Sequence, residues 1–280
     1  MNTSIPIRTR HLFQELDELL ISKLKSLSPE QWGLKTLAGQ WVVKQVTAHL
    51  LDGNLRAISM IRDGYFGENP GPVSSYQELV GFLNRLNADW VTATNRLSPQ
   101  VLISLLETSG REYRSLIKGL KPFEKALFSV AWAGEEESLN WFHVAREYTE
   151  KWHHTQQIFQ AVDPLDQSLF TKRLYLPYLE TSLRALPHHF RSMGSPKDTL
   201  VQISVSGQFS ATWWLKKMDV NWQIIPFSKL QPTVVLIIPD QIAWRIFTKG
   251  ISFDQVNQAV ELHGDRNLGI HLFTLLAVMA

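Results

Sequence analysis

A chain of 280 residues exceeds the roughly 100 to 200 residues of one domain, so two are expected, and 44% hydrophobic against 19% charged residues describes an ordinary globular protein. A net charge of +2 on scattered Lys and Arg excludes a nucleic-acid-binding surface. No apolar run reaches the roughly 20 residues of a bilayer span and MNTSIPIRTR has no signal-peptide core, so the expectation is a cytoplasmic protein without membrane contact.

Leu12, Phe13, Leu16, Leu19, Leu20, Leu24 and Leu27 predict an amphipathic helix over residues 9–27, ended by Ser28-Pro29, which also restarts the chain. A long helix follows over 40–62. Its stripe of Val42, Val46, His49, Gly53, Ala57 and Met60 puts His49 on an apolar face, with Gly53 leaving room beside the ring. After the loop GYFGENPGP, Ser75 and Glu78 form a capping-box pattern ahead of a third helix ending near Leu97. Ser98-Pro99 opens a fourth helical stretch, which Gly110 weakens and 119–122 ends. Residues 123–139 fit either a strand or a buried connection. Residues 168–193 read as helix in pieces, broken at Pro177 and Pro187, and 193–196 as the domain boundary.

Beyond it the pattern changes to short β-branched or aromatic runs, 200–206, 209–215, 220–225 and 233–238, followed by helices over 241–247, 253–262 and 266–279. Strands first and helices after predict a compact α+β unit.

The stretch 140–161, NWFHVAREYTEKWHHTQQIFQA, separates into two faces. Trp141, Ala145, Tyr148, Trp152, Thr155 and Phe159 form an apolar packing stripe, while His143, Glu147, Glu150 and His154 fall in line opposite. Glu150 and His154 lie four residues apart, one above the other, and with His49 from another helix they make two imidazoles and a carboxylate, a ligand set known from catalytic zinc sites with an open fourth position. The same polar stripe also fits the solvated side of a helix, and a lone His on an apolar face also fits a hydrogen-bonded core residue. With no Cys in the chain, a metal must sit on His, Asp, Glu or water.

Trp41-Val42-Val43-Lys44-Gln45-Val46-Thr47-Ala48-His49-Leu50 resembles the W-x-V-x-D-V-x-A-H-L segment of the DinB/YfiT-like metalloenzymes, and within them the N-terminal domain of the mycothiol-dependent maleylpyruvate isomerases. Glu150 to Ile158 resembles that family's second signature, a Glu and a His four apart with an aromatic between. Val260-Glu261-Leu262-His263-Gly264-Asp265 and the closing 268–279 resemble the Gly-Asp turn and last helix of the accompanying sterol-carrier-protein-like domain. The resemblance implies a DinB-like four-helix bundle over 1–194 followed by a small α+β domain over 195–280. It implies metal ligands at His49, Glu150 and His154 holding a divalent cation, zinc foremost and nickel or another metal as alternatives. Its cofactor would be a low-molecular-weight thiol of the mycothiol or bacillithiol kind, its substrate a small electrophile, and its activity thiol transfer or cis-trans isomerisation by a monomer or homodimer. Such a cation lowers the pKa of a bound thiol. A departure is Gln157, where the family often carries Asp three residues after the metal-binding His.

Other expectations are weaker in pattern. His153, about 100° from His154, reads as a surface residue or a support behind the ligands. His143 and Glu147 could orient a ligand through a hydrogen bond, with solvated side chains the simpler reading. Arg245 and Arg266 are candidates for carboxylate or cofactor binding, with exposed helix-terminal arginines the simpler reading. Trp213, Trp214, Trp222 and Trp244 line a cavity or, more simply, fill a core. His188-His189 reads as a surface pair, and His263 and His271 lack a partner at ligand spacing. Two competing functions remain open: a non-enzymatic carrier of a hydrophobic ligand, and a metal-dependent hydrolase using bound water.

Overall fold

The computed structural model describes residues 4–278. Its N-terminal part is helical: a 3-10 turn at Arg10–Leu12 leads into α1 (Phe13–Ser26), followed by α2 (Val43–Ala57), α3 (Tyr76–Thr94), α4 (Pro99–Gly119), α5 (Asn140–Val162), α6 (Lys172–Leu183) and the short α7 (Leu186–His189). Helix α2 packs on α3, α4 and α5, and α1 on α4 and α5, so α1, α2, α4 and α5 surround one core. Phe13, Leu16, Leu20, Val43, Val46, Leu51, Leu102, Tyr148 and Trp152 fill it.

Several sequence expectations are corrected here. The second helix is shorter than 40–62, because Ile58–Arg62 winds as a π-turn. Helix α4 runs through Gly110 without weakening: a Cβ there would sit 3.3 Å from the Asp17 carboxylate, so the missing side chain lets α1 and α4 approach. Pro177 lies inside α6 and does not break it. The turns beside it hold through packing, with Tyr175 stacked on Trp152 and Tyr178 tilted against it. Residues 123–139 form a connection, with a Lys125–Leu139 bridge and a 3-10 turn at Ala131–Ala133.

The C-terminal part is a five-stranded mixed sheet of β1 (Leu200–Ser206), β2 (Ala211–Lys217), β3 (Trp222–Ile225), β4 (Val234–Pro239) and β5 (Glu261–Gly264), in the order β3-β2-β1-β4-β5. Only β1 and β4 pair in parallel, Val201 opposite Val234. Helices α8 (Asp240–Phe247), α9 (Phe253–Ala259) and α10 (Arg266–Leu272) complete it. The fifth strand corrects the sequence reading, which ran a helix through 253–262. Helix α9 stops at Ala259, and Glu261–Gly264 adds to the β4 edge. Gly264 is required there: its φ is +95°, and a Cβ would come 2.2 Å from the Thr233 carbonyl oxygen. The last helix ends at Leu272, and Met279 of the expected 266–279 helix lies outside the described residues.

Aromatic side chains join the two parts. Trp152 is fully buried, stacked on Tyr175 at 4.7 Å and edge-on to Trp244 at 6.2 Å. The Tyr175 hydroxyl donates to the Asp240 carbonyl (2.8 Å) and accepts from the Trp244 N–H (3.0 Å), clasping the start of α8.

Candidate metal centre

Two helix starts fix the ligand-bearing elements. At α2, the Gln45 side chain accepts from the Val42 N–H (3.0 Å), and the Val43 N–H donates to the Leu34 carbonyl (3.0 Å). At α5, no side-chain cap is present; instead the Asn140 and Trp141 amides donate to the carbonyls of Glu124 and Pro122, both at 2.9 Å. These ties set the register in which His49 faces the middle of α5.

The rings of His49 and His154 meet edge to face with centroids 4.7 Å apart, and Trp41 lies 5.1 Å from His49 on its other side. Glu150 Oε2 stands 3.7 Å from His154 Nε2. The structure therefore sets Glu150 beside His154 and the His49 ring against the His154 ring, with His154 buried and Glu150 and His49 partly open to solvent; among the described residues, the side chains whose ligand atoms all lie within 4.8 Å of one another are Glu150, His153 and His154, and His49 is not one of them. Gln157 Oε1 lies 2.8 Å from His154 Nδ1. Since an amide oxygen can only accept, Nδ1 carries the proton and the Nε2 lone pair faces Glu150. That places at Gln157 the orienting contact a carboxylate would otherwise make, without the charge.

The imidazoles are held in the neutral form that ligates. Burial pushes His154 down to about 4, against a smaller upward pull from Gln157. Burial, then the neighbouring His154 and Arg56, hold His49 well below its ordinary value. The Nδ1 of His49 is sealed from solvent with no hydrogen-bond partner. A buried unpartnered ring nitrogen on a side chain packed against a second imidazole fits the edge of a cation site.

His153 takes the second of its two expected places, behind the ligand pair. It is buried, not a surface residue; its ring lies 4.0 Å from that of His154, and its Nδ1 is 4.0 Å from Glu150 Oε2. Ligand atoms of Glu150, His153 and His154 all lie within 4.8 Å of one another. The spacing held the clue: measured from Glu150, His153 is three residues on and on the same helix face. His143 and Glu147 are likewise not solvated. Arg146 Nη2 contacts His143 Nδ1 (2.9 Å) and Glu147 (2.6 Å), and the Tyr113 hydroxyl donates to Glu147 (3.1 Å). Helix α5 is buried almost all round, so its polar stripe faces protein.

Beside the ligands lies a charged cluster that pattern reading passed over. Lys151 Nζ is buried, 2.5 Å from Asp17 and 5.3 Å from the Tyr113 ring centre, while Arg114 pairs with the other Asp17 oxygen. The remaining candidates are engaged locally. Arg245 Nε donates to the Gly250 carbonyl (2.9 Å), and Arg266 Nη2 to Asn257 (2.9 Å). Trp222 and Trp244 are core residues. His189 is no simple surface residue: it stacks on His271 at 4.2 Å and its Nε2 lies 2.8 Å from the His271 carbonyl. His263 stays exposed, 3.8 Å from Glu261.

Residues 13–159 match the family described as the mycothiol maleylpyruvate isomerase N-terminal domain. The chain belongs to this family. The match spans α1 to α5 and so includes every element that carries a candidate ligand. A crystal structure of a histidine-to-alanine mutant of the mycothiol-dependent maleylpyruvate isomerase is similar over 90% of each chain, at 13% identity and a TM-score of 0.52; the two share a fold. A further crystal structure of the mycothiol-dependent maleylpyruvate isomerase gives 0.47 at 15% identity over 85% of this chain and 86% of that one. No curated protein sequence matches. Among the described residues no helix is long and apolar enough to cross a membrane.

Proposed function

We propose that this member of the mycothiol maleylpyruvate isomerase N-terminal domain family is a metal-dependent enzyme that joins a low-molecular-weight thiol to a small electrophile, by transfer or by cis-trans isomerisation. The observation that supports it is the cluster of Glu150, His153 and His154, with the His49 ring packed 4.7 Å from that of His154 and a sealed, unpartnered His49 nitrogen. When bound there, a divalent cation such as zinc would lower the pKa of a thiol and favour its thiolate at neutral pH.

The chain's own groups do the rest. Gln157 holds His154 in the tautomer whose Nε2 faces the site. Glu150 supplies the single negative charge of the ligand set and leaves the cation net positive toward an anionic sulfur. His153 and His154 close the inner side while Glu150 and His49 leave the outer side open to an incoming molecule. The absence of Cys agrees with a thiol brought from outside. Residues 195–280 would be the sterol-carrier-like companion domain, and its Arg245 and Arg266 would meet substrate or cofactor carboxylates only after leaving their present partners.

The carrier reading has less support, because Trp222 and Trp244 fill the interior. The test is metal analysis of the purified protein with a thiol screen against model electrophiles. Stoichiometric metal in the parent and none in His49→Ala is expected. Equal metal in both overturns the assignment, and ester hydrolysis without added thiol replaces the thiol reading with a hydrolase.

A further inference from the structure

The three-ligand set leaves His153 unexplained. Its side chain is 93% buried and its Nδ1 makes no well-formed hydrogen bond, the Thr149 backbone pulling on the ring only weakly, and burying such a nitrogen costs about 1–3 kcal/mol unless something satisfies it. The nearest charge is on the ligand set itself: Glu150 Oε2 is 4.0 Å from His153 Nδ1 and 3.7 Å from His154 Nε2. Ligand atoms at roughly 2.1 Å from one ion stand about 3.4 Å apart in a tetrahedron, and those of Glu150, His153 and His154 already lie within 4.8 Å of one another. On a helix, positions three and four residues beyond Glu150 are its neighbours on one face.

We propose that His153 is a fourth protein ligand, so that α5 alone supplies Glu150, His153 and His154 and α2 closes the set with His49. This rests on the metal site proposed above and changes its character. Three protein ligands leave a vacancy, whereas four complete a tetrahedron. With four side chains holding a cation, a thiol would have to approach beside them or take the place of one of them.

The experiment is an imidazole count by X-ray absorption on the zinc-loaded full chain and on His153→Phe, which keeps a ring and removes both nitrogens, with zinc affinity from chelator competition. The expected result is three imidazoles in the parent and two in the variant, with zinc weakened by more than the roughly 10- to 100-fold that losing an outer hydrogen bond costs. Two imidazoles in both proteins, with affinity changed less than that, overturns the inference and leaves the three-ligand site standing. A parent that holds no divalent cation overturns the metal site and this inference with it. If His153→Phe does not fold, the parent's count of three or two decides.

Discussion

In the sheet, β1 and β4 bury Val201, Ile203, Val205, Leu236 and Ile238, side chains with no polar atom to satisfy. In the bundle, α5 buries His143, Lys151, His153, His154, Gln156 and Gln157 within a span of fifteen residues. The first interior is held by volume and transfer free energy, which forgive exchange among similar shapes. The second is held by specific partners, because each buried polar group costs free energy unless it is matched. An element that keeps so many expensive groups inside is the place to look for chemistry.

That contrast can be broken most sharply at Asp17. Replacing it with Ala leaves the buried Lys151 ammonium without its carboxylate, a change expected to cost about 3–5 kcal/mol in denaturant unfolding. Leu236→Met in the sheet keeps volume and is expected to cost less than about 1.5 kcal/mol. Comparable losses at the two positions would erase the distinction.

A smaller effect is expected from acid. Burial pushes His143 from 6.5 down to about 4, with Glu147 pulling upward and Arg146 pushing down. The folded protein keeps this ring neutral while the unfolded chain takes up a proton below pH 6.5, so its contribution is complete above that pH and is lost as pH falls toward 4. His143→Gln should flatten the stability-pH curve over that window by about 2–3 kcal/mol, measured by urea unfolding at several pH values. An unchanged slope would mean that the ring is not neutral at its post. The smallest effect is at Gln157: restoring a carboxylate by Gln157→Asp should raise metal affinity about tenfold, because it strengthens His154 as a ligand. Chelator competition reads this directly, and a weakened site would reverse the role given to Gln157.

The pairing of Glu150 with His154 was legible because a four-residue spacing on a helix is a geometric fact, independent of what surrounds it. The burial of His143 and His153, and the pairing of Glu147 with Arg146 and Tyr113, were not. A polar stripe opposite an apolar one predicts solvent only when a helix has a free side, and α5 has almost none, being flanked by α1, α2 and α6. In the sheet, β5 escaped because an edge strand carrying Glu261, His263 and Gly264 has too little apolar alternation to show. Pro177 misled for the opposite reason: local propensity says break, and the Trp152–Tyr175 stack outweighs it.

The clasp between Tyr175 and the start of α8 bears on how the molecule can be cut. A fragment ending at residue 194 would lose Trp244, which lies against the back of α5. It would bare an aromatic floor of Trp152, Tyr175 and Tyr178 to water. The helix that carries the candidate ligands thus gets its backing from side chains some ninety positions further along the chain, and an isolated bundle would be a sticky, ill-supported piece rather than a self-sufficient unit.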